Sequence, residues 1–265
     1  MITIKSAREI ETMRRSGAIT ARVLSNLIRA AQPGVTTLEL DALAERQIRE
    51  LGGIPTFKGY NGFPASICTS INEEVVHGIP SGYCLQAGDL LSIDIGTTYD
   101  RYVSDSAVTI GIGAIRPAAQ QLLQVTQECL MRGVACMRPG KHLGDIGAAV
   151  QAHAESHGYG VVRELVGHGV GTRMHEEPQV PNYGRAGTGL ELRAGLVLAI
   201  EPMITQGKYA VETLGDGWTV VTADGKLAAH FEHTVAITET GPKILTLRDV
   251  CERPEAYNYA PGVAA

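Results

Sequence analysis

The stretch SIDIGTTYDRYVSDSAVTI, residues 92–110, decides the fold. Apolar residues alternate with small polar ones on both sides of a polar centre, the pattern of two half-buried strands joined by a tight turn. Asp94 and Asp105 interrupt the two apolar runs. A turn centred on Tyr99 and Asp100 would put them directly opposite each other. Opposed carboxylates, roughly 4.5–5.5 Å apart at Cβ, repel unless a proton or a cation neutralises them. A divalent metal does so; in another register both aspartates are solvated loop residues.

On the N-terminal side, Ser6 opens SAREIETMRRSGAITARVLSNLIRAAQPG. Its apolar positions Ile10, Met13, Ile19, Val23, Leu24, Leu27 and Ile28 recur at helical spacing, and Pro33-Gly34 ends it. Thr36 or Thr37 starts a second helix that runs to about Leu51. From Pro55 to about Ile110 the texture is strand-like, with SICTSI, VVHGI and the hairpin separated by Gly, Pro and Asn. Two more helices are expected over residues 117–138 and 142–158, and strands return after them. Helix-helix-strands therefore occurs twice, as in an α+β protein of two related halves. No repeat is visible residue by residue. Residues 1–250 read as a single domain preceded by an N-terminal helix, and 251–265 as a loosely held tail.

The 265 residues, 44% hydrophobic and 19% charged, have ordinary globular usage and suffice for a large core. A net charge of -5 argues against a broad nucleic-acid or anionic-membrane footprint. Five cysteines, odd in number and without C-x-x-C spacing, fit a reducing compartment. The N-terminus lacks the apolar core of a signal peptide, and no run approaches the roughly 20 apolar residues of a membrane span. A cytoplasmic protein is expected.

More carboxylates interrupt apolar strands later in the chain. Glu201 ends the apolar run of GLVLAIEPMI, where an ionised, unpaired carboxylate would be costly. In AHFEHTVAIT, alternation puts His230, Glu232 and Thr234 on one face and Phe231, His233, Val235 and Ile237 on the other. With Asp94 and Asp105 these make four carboxylates, whose charge balances two divalent cations. Two ions roughly 3.5–4 Å apart can activate a shared water and polarise a carbonyl, so metal-assisted hydrolysis leads. His168 lies in VGHGVGTRMHEEP, residues 166–178. The glycines around it argue against a helix, and in an extended segment a seven-residue separation sends His168 and His175 to opposite sides.

In chain order, GYNGFPASICTSINEEVVHGIP, DIGTTYDRYVSD, GHGVGTRMHEEPQVPNY, AIEPM, DGWTV and FEHT resemble the methionine aminopeptidases of the short bacterial type I, within the creatinase, prolidase and aminopeptidase group. The likeness covers roughly residues 5–248. It implies the pseudo-symmetric pita-bread fold, a central antiparallel sheet with helices on its outer face and a centre for two divalent ions between the halves. Carried over by position, Asp105 and Glu232 would bridge both ions, Asp94 would complete one site, and His168 and Glu201 the other. Oxygen ligands with one imidazole suit Mn, Fe, Co or Zn without selecting among them. His77 would contact the substrate near the scissile amide. His175 would hydrogen-bond the substrate carbonyl, and Glu201 would also shuttle a proton. Tyr60, Phe63, Cys68, Met174 and Trp218 would surround a methionine side chain. The implied substrates are peptides and nascent chains with a small second residue, handled by a monomer in transient contact with ribosomes, without membrane or specific nucleic-acid partners. Phe57, Phe63 and Met174 depart from the family's usual residues in the pocket, and Leu165 does so at a packing position.

Other readings are weaker. His153 and His157 have the i, i+4 spacing of a helical zinc pair but lack the intervening Glu of H-E-x-x-H, which favours a solvated helix face. His142, His230 and His233 have surface or supporting readings, His230 standing out because it is close to Glu232. GIGAIRP lacks the third glycine of a phosphate loop. Cys68 could pair with His77 as a nucleophile, but without a strongly electropositive context a buried or pocket-lining thiol is expected. A proline-directed peptidase and a non-catalytic binding protein on the same fold are the alternative functions.

Overall fold

The computed structural model describes residues 2–248; Met1 and residues 249–265, with the expected tail and Cys251, lie outside the described residues. The first half runs α1 (Ala7–Ala30), α2 (Thr37–Glu50), β1 (Ile54–Pro55), β2 (Ile67–Ile71), β3 (Glu74–Val76), β4 (Leu90–Tyr99) and β5 (Tyr102–Gly111). The second runs α3 (Pro117–Ala135), α4 (Leu143–Ser156), β6 (Gly160–Val161), β7 (Gly167–Gly169), β8 (Glu176–Val180), β9 (Val197–Ile200), β10 (Met203–Thr205), β11 (Val211–Thr213), β12 (Val220–Thr222), β13 (Ala228–His230), β14 (His233–Thr238) and β15 (Gly241–Ile244). Helix-helix-strands thus occurs twice, in an α+β fold.

The two N-terminal helices begin where local chemistry dictates. Ser6 and Glu9 form a capping box on α1, and Thr36 and Glu39 form one on α2, each pair satisfying backbone N–H groups that the first helical turn leaves free. α1 lies on β4 and β5 through hydroxyls as well as apolar groups. Ser16 Oγ donates to the Thr97 carbonyl, and Ser16 and Thr20 both hydrogen-bond Ser104 Oγ. Gly17 lets the helix approach its neighbour closely, since a Cβ there would lie 2.1 Å from the Leu245 carbonyl oxygen.

β4 pairs antiparallel with β5 along its whole length, and with β1 and β2 on its other edge. A second sheet has the order β15-β14-β9-β7-β8. β3 joins β12 and β11, so one small sheet already draws strands from both halves. One continuous core, from Leu24 and Ile48 through Ile93 to Leu130, Ile200 and Val235, lies between helices and sheets.

The hairpin register differs from the expected one. Asp94 faces Ala107 and Asp105 faces Gly96, because the turn is centred on Asp100 and Arg101 and closed by Tyr99 opposite Tyr102. Both central residues have positive φ, 46° and 70°. Such a two-residue turn matches strand twist, and Asp tolerates the left-handed region better than Tyr99 would. The slip of one residue in turn position moves the partner by two, so both aspartates stay on one face as diagonal neighbours.

A polar seam joins the halves behind that face. Thr234 Oγ1 donates to the Asp105 carbonyl and accepts from the Asp105 N–H, both at 2.8 Å. Ser106 Oγ donates to the Glu232 carbonyl at 2.8 Å, and the Glu232 N–H donates to the Ala107 carbonyl at 2.9 Å. Thr109 Oγ1 donates to the His230 carbonyl and accepts from its N–H. Strand β5 is thereby held edge-on to the segment that carries Glu232.

Candidate metal centre

The seam brings the four interrupting carboxylates together. Asp94 comes from β4, Asp105 from β5, Glu201 from the residue after β9, and Glu232 from the link between β13 and β14. His168, in the middle of β7, completes the group: its Nε2 lies 3.7 Å from Asp105 Oδ2 and 3.5 Å from Glu201 Oε1. Donor atoms of Asp105, His168 and Glu232 all lie within 4.8 Å of one another.

Electrostatically the cluster is incomplete by itself. Asp94 Oδ1, Asp105 Oδ1 and Glu232 Oε1 are inaccessible and have no hydrogen-bond partner. Burial pushes the Asp94 carboxyl up to about 7. Burial first, and the neighbouring carboxylate charges second, push Asp105, Glu201 and Glu232 well above the usual carboxylate range. Burial, with His175 nearby, lowers His168 to about 4, so its imidazole is neutral and available as a ligand. Orphaned oxygens, mutual repulsion and one neutral imidazole form a donor set that suits a hard or borderline divalent cation.

The cluster lines a cavity of about 280 Å³. Every residue expected at the substrate end lines it: Tyr60, Phe63, Cys68, Met174 and Trp218, together with His77 and His175. Phe63 meets Trp218 edge-on, with ring centroids 5.1 Å apart. Cys68 faces Asp94 across the β2–β4 pairing, and burial followed by that aspartate's charge raises its thiol well above the ordinary range. A protonated, buried thiol is a wall of the cavity and a poor nucleophile. His77 follows β3 with φ of 61°, an uncommon conformation for a non-glycine residue, and its ring lies 6.4 Å from that of Trp218. Burial lowers its pKa.

His168 and His175 are not on opposite sides. Their ring centroids are 4.3 Å apart, because the chain folds back between β7 and β8 and the strand pairing shifts register after His168. Counting residues along an extended segment fails where the segment turns. The two rings nevertheless have different partners: His168 Nε2 faces carboxylates, whereas His175 Nδ1 is 2.7 Å from the Tyr60 hydroxyl.

Leu165, expected only to pack, also lines the cavity, as do Phe57, Val166, Met203 and His230. His230 is fully buried with both ring nitrogens lacking a hydrogen bond, and its Nε2 is 3.8 Å from Glu201 Oε2. Its position two residues before Glu232 on an alternating strand was the available signal. His153 departs from the solvated reading: its Nε2 is 2.6 Å from Glu128 Oε2 of α3, and only His157 is exposed. His233 is buried too, with Nδ1 2.9 Å from Thr246 Oγ1.

Known proteins resemble this arrangement over nearly the whole chain. The methionine aminopeptidase of Clostridium acetobutylicum is 55% identical over 248 residues, 93% of this chain and 99% of that protein. Methionine aminopeptidase 1 of Bacillus subtilis is 52% identical, with 93% and 99% covered. The crystal structure of the methionine aminopeptidase from Thermotoga maritima superposes with a TM-score of 0.91 at 44% identity, covering 93% of this chain and 99% of that one. The fold is therefore the α+β pita-bread fold, which prolidase from Pyrococcus furiosus shares at a TM-score of 0.75 and 24% identity, over 93% of this chain and 66% of that one. Residues 11–239 match metallopeptidase family M24, and with carboxylates and an imidazole converging from both halves, the chain belongs to that family of metal-dependent peptidases.

Proposed function

We propose that this protein is a methionine aminopeptidase that removes the N-terminal methionine from new polypeptides whose second residue is small. The observation that carries the reading is the union, in one cavity, of an uncompensated carboxylate cluster with an apolar, sulfur-containing wall of Phe63, Cys68, Met174 and Trp218. Such a wall suits a thioether, and the carboxylate cluster in the same cavity would meet the backbone that follows that side chain.

Asp94, Asp105, His168, Glu201 and Glu232 would together hold two divalent ions. Bound there, the ions would supply Lewis-acid polarisation of the scissile carbonyl and a water acidic enough to attack near neutral pH. The chain's own groups perform the remaining work. Were the Tyr60 hydroxyl to donate to Nδ1, 2.7 Å away, His175 would carry its proton on Nε2 and could donate it to the carbonyl oxygen as negative charge develops. His77, on its strained turn beside Trp218, would orient the scissile amide. Glu201 would take a proton from the attacking water and pass it to the departing amine.

Residues 1–250 would act as one catalytic domain, as a monomer in the cytoplasm. Among the described residues no helix is long and apolar enough to cross a membrane. The acidic balance favours transient contact with ribosomes over stable binding to nucleic acid.

The test is to strip metal from the pure protein, add back Mn, Fe, Co or Zn singly, and assay release from Met-Ala-Ser and from an Ala-Pro peptide. Release of methionine with at least one ion, and no cleavage of Ala-Pro, is expected. No methionine release with any ion overturns the reading; preferential cleavage of Ala-Pro replaces it with a proline-directed peptidase.

A further inference from the structure

The N-terminal segment ahead of α1 reaches across the molecule to the loop that carries Met174 and His175. Lys5 Nζ donates to Glu176 Oε2 at 2.8 Å, and Thr3 Oγ1 donates to the same oxygen at 2.6 Å; Lys5 Nζ also hydrogen-bonds Thr3 Oγ1. The Lys5 and Glu176 side chains are 6% and 3% exposed. The Lys5 N–H donates to the Gly195 carbonyl at 2.8 Å. Gly195, with φ of +92°, has no room for a side chain, because a Cβ would lie 2.5 Å from Ile4 Cγ2. Residues 3–5 are therefore seated between the turn before β9 and the start of β8.

Glu176 faces two ways. While Oε2 takes Lys5 and Thr3, Oε1 accepts from the Arg173 N–H at 3.3 Å. The loop wraps closely round this carboxylate: a Cβ on Gly171 would lie 2.4 Å from Oε1. The same loop is fixed on its far side by Val103 N–H, which donates to the Gly171 carbonyl at 2.8 Å. Burial opposes ionisation of Glu176, but the hydrogen bonds from Lys5 and Thr3 outweigh it and hold its carboxyl below the ordinary range. A buried ion pair is weak evidence for stability, since two neutral groups of similar volume often pack as well. What it does impose is geometry: one oxygen of Glu176 is fixed by the N-terminal segment, and the other orders the backbone two residues before His175.

We propose that residues 3–5 form a positioning strap for the substrate-facing loop, with Lys5 and Thr3 acting through Glu176 to place His175 and Met174. The proposal rests on the reading of His175 as the group that meets the substrate carbonyl. None of the three strap residues lines the cavity, so they are positioning residues. Small displacements suffice, because moving a catalytic donor by about 1 Å can cost on the order of 100-fold in rate.

Three variants test it: Lys5→Met, Lys5→Arg, and the neutral pair Lys5→Met/Glu176→Gln, which keeps the fold free of an unpaired buried charge. In the metal-loaded protein, Lys5→Met and the neutral pair should lower kcat for Met-Ala-Ser by about tenfold or more, with a smaller change in KM, and Lys5→Arg should restore most of it. The split is expected because Phe63, Cys68 and Trp218 hold the methionine side chain from other segments, whereas His175 acts as charge develops. Metal affinity, measured by calorimetry, should not change. The His175 imidazole resonances, followed by 1H–15N correlation in the metal-free protein, should move in Lys5→Met and in the neutral pair but not in Lys5→Arg. If folded Lys5→Met keeps the parent's kcat or the parent's His175 resonances, the strap is refuted. If the parent itself releases no methionine with any ion, the proposed function fails, and the resonances alone decide the strap.

Discussion

Replacing Asp94 by Asn in the metal-free protein isolates the cost of burying one carboxylate of the cluster. Burial raises the Asp94 carboxyl from its ordinary 3.8 to about 7. A group whose folded-state pKa lies above its unfolded value contributes its stability in full below that unfolded value, and loses it as pH rises through the folded one. For Asp94 the loss therefore runs from about pH 4 to pH 7. At about 1.36 kcal/mol per tenfold change in proton affinity, it amounts to about 4 kcal/mol for this one group. Asn cannot ionise and leaves that penalty out. Metal-free Asp94→Asn should match the parent near pH 4 and exceed it at pH 8 by up to about 4 kcal/mol, which corresponds to a Tm higher by about 8–16 °C in a chain of this size. Paired calorimetric scans of the two proteins in chelator, from pH 4 to pH 8, give the measurement. Adding a divalent ion should reverse the order at pH 8, because an ion that binds the folded parent stabilises it by mass action and Asn is a poorer ligand. Parallel curves for the two metal-free proteins, or a parent more stable than the variant at pH 8, would refute the argument that the cluster is uncompensated.

His168→Ala should weaken metal binding by more than the roughly 10–100-fold typical of losing an outer partner, as measured by calorimetry. His175→Ala should keep its metal and lose about 100–1,000-fold in kcat, the cost of one donor to a developing oxyanion; equal effects on metal affinity would remove the distinction between the two rings. Gly17→Ala sets two effects in opposition. Alanine favours a helix by about 1 kcal/mol over glycine, but its Cβ would lie 2.1 Å from the Leu245 carbonyl oxygen. Overpacking costs about 1–3 kcal/mol, so the urea midpoint should fall, and a rise would show that α1 and the Leu245 backbone move apart freely.

Local chemistry was legible in the sequence and long-range geometry was not. Ser6 was legible as a cap and Thr36 or Thr37 as a helix start; Glu39, three residues after Thr36, was the signal that chooses between the two threonines. The hairpin was legible as a hairpin, yet its register depended on which pair of residues accepts positive φ, a choice between Tyr99-Asp100 and Asp100-Arg101 that apolar alternation alone does not make. The carboxylates betrayed themselves singly, as charges inside apolar strands, but their convergence rested on the resemblance to a known family, because no periodicity links β4 to the segment after β13. His168 and His175 were misplaced because the fold-back between β7 and β8 is set by tertiary contacts, Glu176 and Val103 among them. Lys5 gave no signal at all: a lysine before a helix looks solvated until the chain 171 residues further on supplies its carboxylate.

The polar seam between β5 and the segment around Glu232 also governs when this site can come into being. Its hydrogen bonds join residues 121 to 129 positions apart, so the union of the Asp94–Asp105 hairpin with the segment around Glu232 is not stabilised by neighbours in sequence. Closing so long a loop carries an entropic cost before any contact rewards it, and topologies dominated by such pairings fold slowly. A chain emerging from synthesis would hold Asp94 and Asp105 in a finished hairpin while Glu201 and Glu232 did not yet exist. The complete carboxylate cluster therefore requires the second half to have closed over the first.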